Sequence, residues 1–226
     1  MQAVKDPPVL FQVPLFKDLS VMEKEALFLE TSEAKFKKGE FIIFPGKEIT
    51  HLNVLVSGVV KTGVYDEEGK EVIQSIVYPE KLFGELALIS AEESKEFAQA
   101  LTTEVTVLQI PLATVREMVL KNSASSFKYI ELVSARLKRA EKRLQSMVFQ
   151  NARGRIVDFI KDLAETTGKK IGYETLIHNY LTHMEIANLT ATSRQTVTTV
   201  LNDLRAKNQI YFDRRRILIR DLATLA

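Results

Sequence analysis

The chain has 226 residues, 46% hydrophobic and 27% charged, a balance that suggests one or two globular domains with proper cores. It contains no cysteine, which excludes disulfides, thiolate zinc sites, a cysteine-ligated iron–sulfur cluster and a cysteine nucleophile. No apolar run reaches the ~18 residues needed to cross a bilayer, and the start MQAVKDPPVLFQ lacks the layout of a signal peptide, so the expectation is a cytoplasmic chain with no membrane partner.

The net charge of +2 conceals an asymmetry. Residues 1–120 carry 12 Lys+Arg against 19 Asp+Glu, whereas residues 121–226 carry 19 against 10. A basic second half points to a polyanion as its partner.

In chain order, residues 14–31 (PLFKDLSVMEKEALFLET) predict one or two short helices, with Ser20 as a cap and Glu23 three residues on. From Ala34 to Ile110 short apolar runs alternate with glycine and charged turns: FIIF (41–44), HLNVLVSG (51–58), VVKTGVY (59–65), EVIQSIVY (71–78) and EVTVLQI (104–110). That spacing predicts an antiparallel barrel or sandwich. LATVREMVLKN (112–122) predicts a short helix.

Between Ser125 and Asn151 the residues Ile130, Val133, Leu137, Ala140, Leu144, Met147 and Asn151 step alternately by three and four. This is a heptad seam, narrower than an ordinary core-facing stripe, and Lys138, Arg139, Lys142 and Arg143 flank it. An identical partner helix satisfies such a seam best, so Ile130, Val133, Leu137, Ala140, Leu144 and Met147 are the predicted dimer interface. The alternative is a helix packed on its own domain. A further helix is predicted over 152–167, with Ile156, Phe159, Ile160 and Leu163 apolar, and Gly154 near its start marks a hinge. TTGKK (166–170) reads as a loop, and GYETLIHNY (172–180) fits either strand or loop.

The most informative stretch is LTHMEIANLTATSRQTVTTVLNDL (181–204). Thr182 and Glu185, and again Thr192 and Gln195, have the spacing of a capping box, so two helices start about ten residues apart. In the second, Val197, Val200, Leu201 and Leu204 form an apolar face. Its other face carries Arg194, Gln195, Thr198, Thr199 and Asn202, with no acid before Asp203. A short helix, a tight turn and a second helix with a polar, basic front suit the major groove. Arg bonds guanine bidentately, Gln bonds adenine, and Thr offers a hydroxyl and a methyl. Asn208 ends this helix, and IYFDRRRILIRD (210–221) predicts a hairpin turning near Asp213-Arg214. Arg214, Arg215 and Arg216 there suit phosphates.

The leading reading is therefore a DNA-binding transcription regulator, not an enzyme. Two others compete with it. A cupin-like metal enzyme needs clustered histidine and carboxylate ligands, whereas His51, His178 and His183 are scattered. A protein-binding module would use the helix-turn-helix on a protein surface. No cofactor or metal is predicted.

Several motifs resemble the bacterial superfamily named for the cAMP receptor protein and the fumarate–nitrate regulator (Crp–Fnr). They are KKGEFIIFPG (37–46), LVSGVVKTGVYDEEGKEVI (55–73), FGELALI (83–89), GRI (154–156) and the stretch 181–204. The resemblance implies an α+β fold: an N-terminal antiparallel β-roll of the cyclic-nucleotide-binding, jelly-roll type, a long dimerisation helix and a C-terminal winged helix-turn-helix. The implied division is 1–122, 123–151 and 152–226. The family's S-R-x-T recognition sequence falls on Ser193, Arg194 and Thr196, which implies a guanine reader at Arg194 and phosphate contacts at Ser193 and Thr196. With Gln195, Thr198, Thr199, Arg214 and Arg215 these make the expected DNA-binding set. Gln195 stands where the family often has glutamate, and it suits adenine better than cytosine.

The resemblance also implies an effector pocket in the roll, at Gly84, Glu85 and Lys95, met by Ala140 and Glu141 of the long helix. The family's phosphate-holding arginine is absent: the segment reads Ser94-Lys95-Glu96, lysine lacks the planar fork, and Glu96 repels a phosphate. The expected effector is thus something other than cAMP. The implied partners are near-palindromic double-stranded DNA, a second copy of the chain and, if the protein activates, RNA polymerase.

Overall fold

The computed structural model describes residues 8–89, 95–178, 180–213 and 215–226. By contacts the chain forms two units, residues 1–139 and 140–226, which are taken separately below.

In the first unit, α1 (Pro8–Gln12), α2 (Pro14–Lys17) and α3 (Val21–Leu29) precede the strands. The capping box expected at Ser20 forms: the Glu23 N–H donates to its hydroxyl at 3.3 Å, and the Ser20 N–H donates to the Glu23 carboxylate at 2.8 Å. Eight strands follow: β1 (Ser32–Lys37), β2 (Phe41–Ile43), β3 (His51–Ser57), β4 (Val60–Tyr65), β5 (Glu71–Val77), β6 (Leu82–Phe83), β7 (Glu96–Ala100) and β8 (Glu104–Pro111). They make two four-stranded antiparallel sheets, ordered β1-β8-β3-β6 and β2-β7-β4-β5. The late strands β7 and β8 sit between early ones, so the chain closes on itself as a roll.

Leu52, Val54, Leu55, Val60, Ala98, Val107, Leu108 and Ile110 from both sheets share one core with Leu10 and Phe16 from the leading helices. Each large side chain buried this way contributes roughly 1.5–3 kcal/mol. The strands β1, β6 and β7 fall outside the apolar runs read from the sequence. β1 is mostly polar and has no fully buried residue, β6 is two residues long, and β7 has one large apolar residue, Phe97, beside the buried alanines Ala98 and Ala100, which carry little strand preference.

After α4 (Leu112–Lys121) comes α5 (Ser123–Phe149), a single helix of 27 residues. Its Tyr129 is buried, and Leu132 and Val133 pack against the roll core. Along the predicted seam Ile130, Leu137, Leu144 and Met147 are exposed, as is Ala140, whereas Val133 is half-buried against its own domain. The two contact units part inside α5, at 139/140. By contacts, then, the helix is shared between the units rather than forming a segment of its own.

The second unit begins with α6 (Ala152–Thr167), whose cap is Asn151, accepting the Gly154 N–H at 2.9 Å. It continues with β9 (Lys169–Ile171), β10 (Glu174–His178), α7 (His183–Leu189), α8 (Arg194–Ala206), β11 (Ile210–Phe212) and β12 (Arg216–Ile219). The strands form one antiparallel sheet, β11-β12-β10-β9. The loop expected over 166–170 is corrected here: Thr167 ends α6, and Lys169, Lys170 and Ile171 pair with Leu176, Thr175 and Glu174. All three residues of β9 are exposed, so no apolar alternation announces the strand, and only backbone pairing makes it one. Ile156, Ile160, Ile177, Ile186, Val197, Leu201, Leu204, Ile210 and Ile219 are buried in this unit.

Candidate nucleic-acid interface

Two caps define the helix-turn-helix. At α7 the predicted capping box forms: the Glu185 N–H donates to the Thr182 hydroxyl at 3.2 Å, and the Thr182 N–H donates to the Glu185 carboxylate at 2.7 Å. At α8 the cap is Ser193, one residue beyond the expected Thr192. The Ser193 hydroxyl accepts the Thr196 N–H at 3.0 Å. The shift has a local cause. Ala191 takes a left-handed conformation, φ 49°, and the Thr192 N–H turns back to the Ala187 carbonyl at 3.0 Å, so Thr192 belongs to the turn.

That turn is held from α6. Arg155 donates through Nε to the Thr190 carbonyl at 2.8 Å, through Nη2 to the Ala191 carbonyl at 2.9 Å, and through Nη1 to the Gln150 carbonyl at 2.8 Å. Arg153 pairs with Asp203 of α8 at 2.5 Å and donates to the Ala226 carbonyl at 2.8 Å. Arg155 falls in the GRI motif, but the sequence does not disclose its partners Thr190 and Ala191, 35 and 36 positions away, nor those of Arg153 at Asp203 and Ala226, 50 and 73 positions away. Asp203, the acid that closes the polar face of α8, is engaged by Arg153 and by Lys207 at 3.1 Å, and these two hold its carboxyl below the usual range.

With Val197, Val200, Leu201 and Leu204 buried, α8 turns Ser193, Arg194, Gln195, Thr199 and Asn202 outward, with Thr196 half-exposed. Ser193, Gln195, Thr196, Thr199 and Val200 line a shallow groove. Arg194 forms no ion pair among the described residues, so its five donors point to no internal acceptor that would compete for them. The hydroxyls of Ser193 and Thr196 lie 2.8 Å apart, so the Thr196 side chain meets the same cap oxygen that takes its own N–H.

Thr198 differs from the rest of the expected set. Its hydroxyl donates to the Arg194 carbonyl at 3.0 Å and lies 2.9 Å from His183 Nδ1, so its polar atom is spent inside the domain. Burial first, and then the charge of Arg194, hold the His183 imidazole below its ordinary pKa. The contact between His183 Nδ1 and the Thr198 hydroxyl joins the start of α7 to the first turn of α8.

In the wing, Asp213 organises the tip between β11 and β12: its carboxylate accepts the N–H groups of Arg215 at 2.8 Å and Arg216 at 2.9 Å. Both arginines are exposed. Arg214 lies outside the described residues. The Arg205 guanidinium stacks over the Phe212 ring at 5.1 Å, tying the end of α8 to β11.

The residues of the expected effector pocket fall differently. Gly84 is left-handed, φ 83°, and a Cβ there would meet Ile43 Cδ1 at 3.2 Å, so glycine suits both the turn and the space. Glu85 is buried, whereas Lys95 is exposed. Ala140 and Glu141 are exposed and belong to the second contact unit. The α5 residues that meet Glu85 are Tyr129, whose hydroxyl donates to the Glu85 carbonyl at 3.2 Å, and Arg136, whose Nη1 donates to Glu85 Oε1 at 2.7 Å. Arg136 also reaches Glu96 on β7 at 2.5 Å. The sequence reading names neither Tyr129 nor Arg136.

Residues 33–122 match the cyclic nucleotide-binding domain family, and residues 154–226 match the Crp-like helix-turn-helix domain family. The chain is 26% identical to a CRP-like cAMP-activated global transcriptional regulator of Mycobacterium tuberculosis over 218 residues, covering 96% of this chain and 97% of the relative. It is 27% identical to a global nitrogen regulator of Nostoc over 192 residues, covering 84% and 86%. Its fold is that of a CooA variant from Carboxydothermus hydrogenoformans, with a TM-score of 0.74, 23% identity, and 99% and 96% of the two chains covered. No described helix is long and apolar enough to cross a membrane.

Proposed function

The chain belongs to the Crp–Fnr superfamily of transcription regulators, and on that premise we propose that it is a cytoplasmic homodimer that reads a near-palindromic DNA site. The observation that carries this is the polar front of α8. An uncommitted guanidinium at Arg194 and an amide at Gln195 stand on the first turn of a capped helix whose opposite face is buried. In this geometry Arg194 bonds guanine O6 and N7, Gln195 bonds adenine N6 and N7, and Thr199 offers its hydroxyl or methyl to the next base edge. Backbone N–H groups at the start of α8, with Arg215, take phosphates and fix the register.

Pairing of two chains is supported by Ile130, Leu137, Leu144 and Met147, large apolar side chains 42–64% exposed at heptad spacing on α5. Two copies related by a two-fold axis would set two α8 helices in successive major grooves, about 34 Å apart. The roll is the regulatory part, and its effector is other than cAMP: Ser94-Lys95-Glu96 offers no planar guanidinium fork for a cyclic phosphate, and the guanidinium of Arg136 is already taken by Glu85 and Glu96. If the protein activates transcription, RNA polymerase is its further partner.

Selection of bound duplexes from a random pool, followed by affinity measurements against salt, tests this reading. It expects an enriched near-palindrome whose affinity falls steeply with salt, with a log–log slope of about −0.9 for each phosphate neutralised. Absence of any enriched sequence would refute it.

A further inference from the structure

Arg136 projects from α5 at the same face as Tyr129, seven positions earlier, and both reach one residue of the roll. Tyr129 takes the carbonyl of Glu85, and Arg136 takes its carboxylate. The same guanidinium spans to Glu96, the first residue of β7, and its Nη2 lies 3.5 Å from Gln74 Oε1 on β5. The carboxylates are well enclosed: the side chains of Glu85 and Glu96 are 9% and 19% exposed, and that of Arg136 is 31% exposed. Two carboxylates held this close would repel each other without a cation between them. One planar fork answers both, with separate nitrogens on separate acids, whereas an ammonium is a single point charge.

Each partner is itself fixed. Glu85 opens the 3-10 turn Glu85–Leu88, directly after left-handed Gly84. That turn is held at its far end by Arg116, whose Nε donates to the Leu88 carbonyl at 2.7 Å and whose Nη2 donates to the Ala87 carbonyl at 3.3 Å. Glu96 is fixed by the pairing of β7 with β4. The acids therefore form a rigid seat on the roll, and the guanidinium arrives on a different element. Burial opposes the charge of Arg136, and the two acids more than offset that, so it stays a cation with its pKa above the usual value.

We infer that Arg136 is an internal ligand of the roll: its guanidinium fills a two-carboxylate seat at Glu85 and Glu96, and this occupancy sets the roll against α5 without a small molecule. The seat is specific for a guanidinium or amidinium cation. Arg136 is a positioning residue, acting on DNA only through α5, and that consequence rests on the DNA-binding function proposed above. An intramolecular group is present at a high effective concentration, so free guanidinium compounds at millimolar levels do not displace it.

Arg136→Ala tests the inference, with methylguanidinium as the probe. The variant should bind the selected duplex about tenfold more weakly than the parent, within the usual span of coupling between sites. Millimolar methylguanidinium should restore most of that loss, methylammonium at equal ionic strength should not, and the parent protein should respond to neither. A second arm needs no DNA. Methylguanidinium should bind Arg136→Ala saturably by NMR titration, and Glu85→Gln with Glu96→Gln in that background should abolish the binding. If Arg136→Ala does not fold, Arg136→Met takes its place, keeping the length of the side chain while leaving the seat without a cation, and it too should bind methylguanidinium saturably and bind DNA more weakly. Arg136→Ala with parental DNA affinity, or an empty seat that binds no methylguanidinium, overturns the inference. If the parent enriches no duplex, the function proposed above fails, while the NMR arm still decides whether the seat is one for guanidinium.

Discussion

Two arginines of this chain stand in opposite circumstances. Arg136, on α5, is half-buried and spans two carboxylates of its own domain. Arg194, on α8, is exposed and has no acid opposite it among the described residues. The same side chain makes a finished contact in one place and an open one in the other. The difference lies in the neighbours: the roll brings Glu85 and Glu96 together, whereas the only acid of α8, Asp203, is two turns past Arg194 and already taken by Arg153 and Lys207. A guanidinium left unpaired on a rigid, capped helix has its donors ready for an outside acceptor, and its side-chain cost of ordering falls on binding rather than on folding. The seam of α5 is open in the same sense, with apolar instead of polar groups.

The contrast can be broken most severely at the seam. Leu137→Glu combined with Leu144→Glu would face like charges across the two-fold axis. Sedimentation should then show a monomer, and binding to a two-half-site duplex should fall by orders of magnitude. At the open arginine, Arg194→Ala should cost about 1–3 kcal/mol on the selected duplex and relax preference at one base pair, read by competition binding with single-base variants. Equal losses on selected and random DNA would mean that Arg194 touches only phosphate.

Smaller effects test the frame that presents α8. Thr182→Ala removes one half of the capping box of α7 and should cost about 1 kcal/mol in urea unfolding. Ala191→Gly should act the other way. Its left-handed backbone costs alanine roughly 1–2 kcal/mol, partly offset by the entropy glycine loses, so a gain of a few tenths to about 1 kcal/mol is expected. His183 sharpens the comparison through pH. Its folded pKa lies below the unfolded value near 6.5, so its contribution to stability is complete above that pH. It declines as pH falls below 6.5 and the unfolded chain takes up the proton first. Urea melts from neutral to mildly acidic pH should show this slope in the parent and a weaker one in His183→Asn.

What the sequence discloses follows the same division. Caps and helix faces depend on residues three or four apart, so Ser20–Glu23, Thr182–Glu185 and the buried Val197, Val200, Leu201 and Leu204 are all visible in a linear reading. The recognition helix is located by the same means, although its cap is one residue later than expected because Ala191 and Thr192 belong to the turn. The Arg136 seat is not visible in this way. Its partners are 51 and 40 positions distant, and they become neighbours only when the roll closes and α5 packs beside it. The grip of Arg155 on the turn has the same origin, spanning 35 positions. Strand β9 escapes for another reason: it is exposed along its whole length and is made by pairing alone. Thr198 shows the limit of reading a helix face by itself, since its hydroxyl is claimed by His183 from the preceding helix.

Hydroxyl-radical footprinting on the selected duplex tests most directly whether two chains read DNA through paired α8 helices. Two protected half-sites are expected, related by a two-fold axis and centred about 34 Å apart, with both weakened together by Arg194→Ala. A single protected patch without two-fold symmetry would contradict the account.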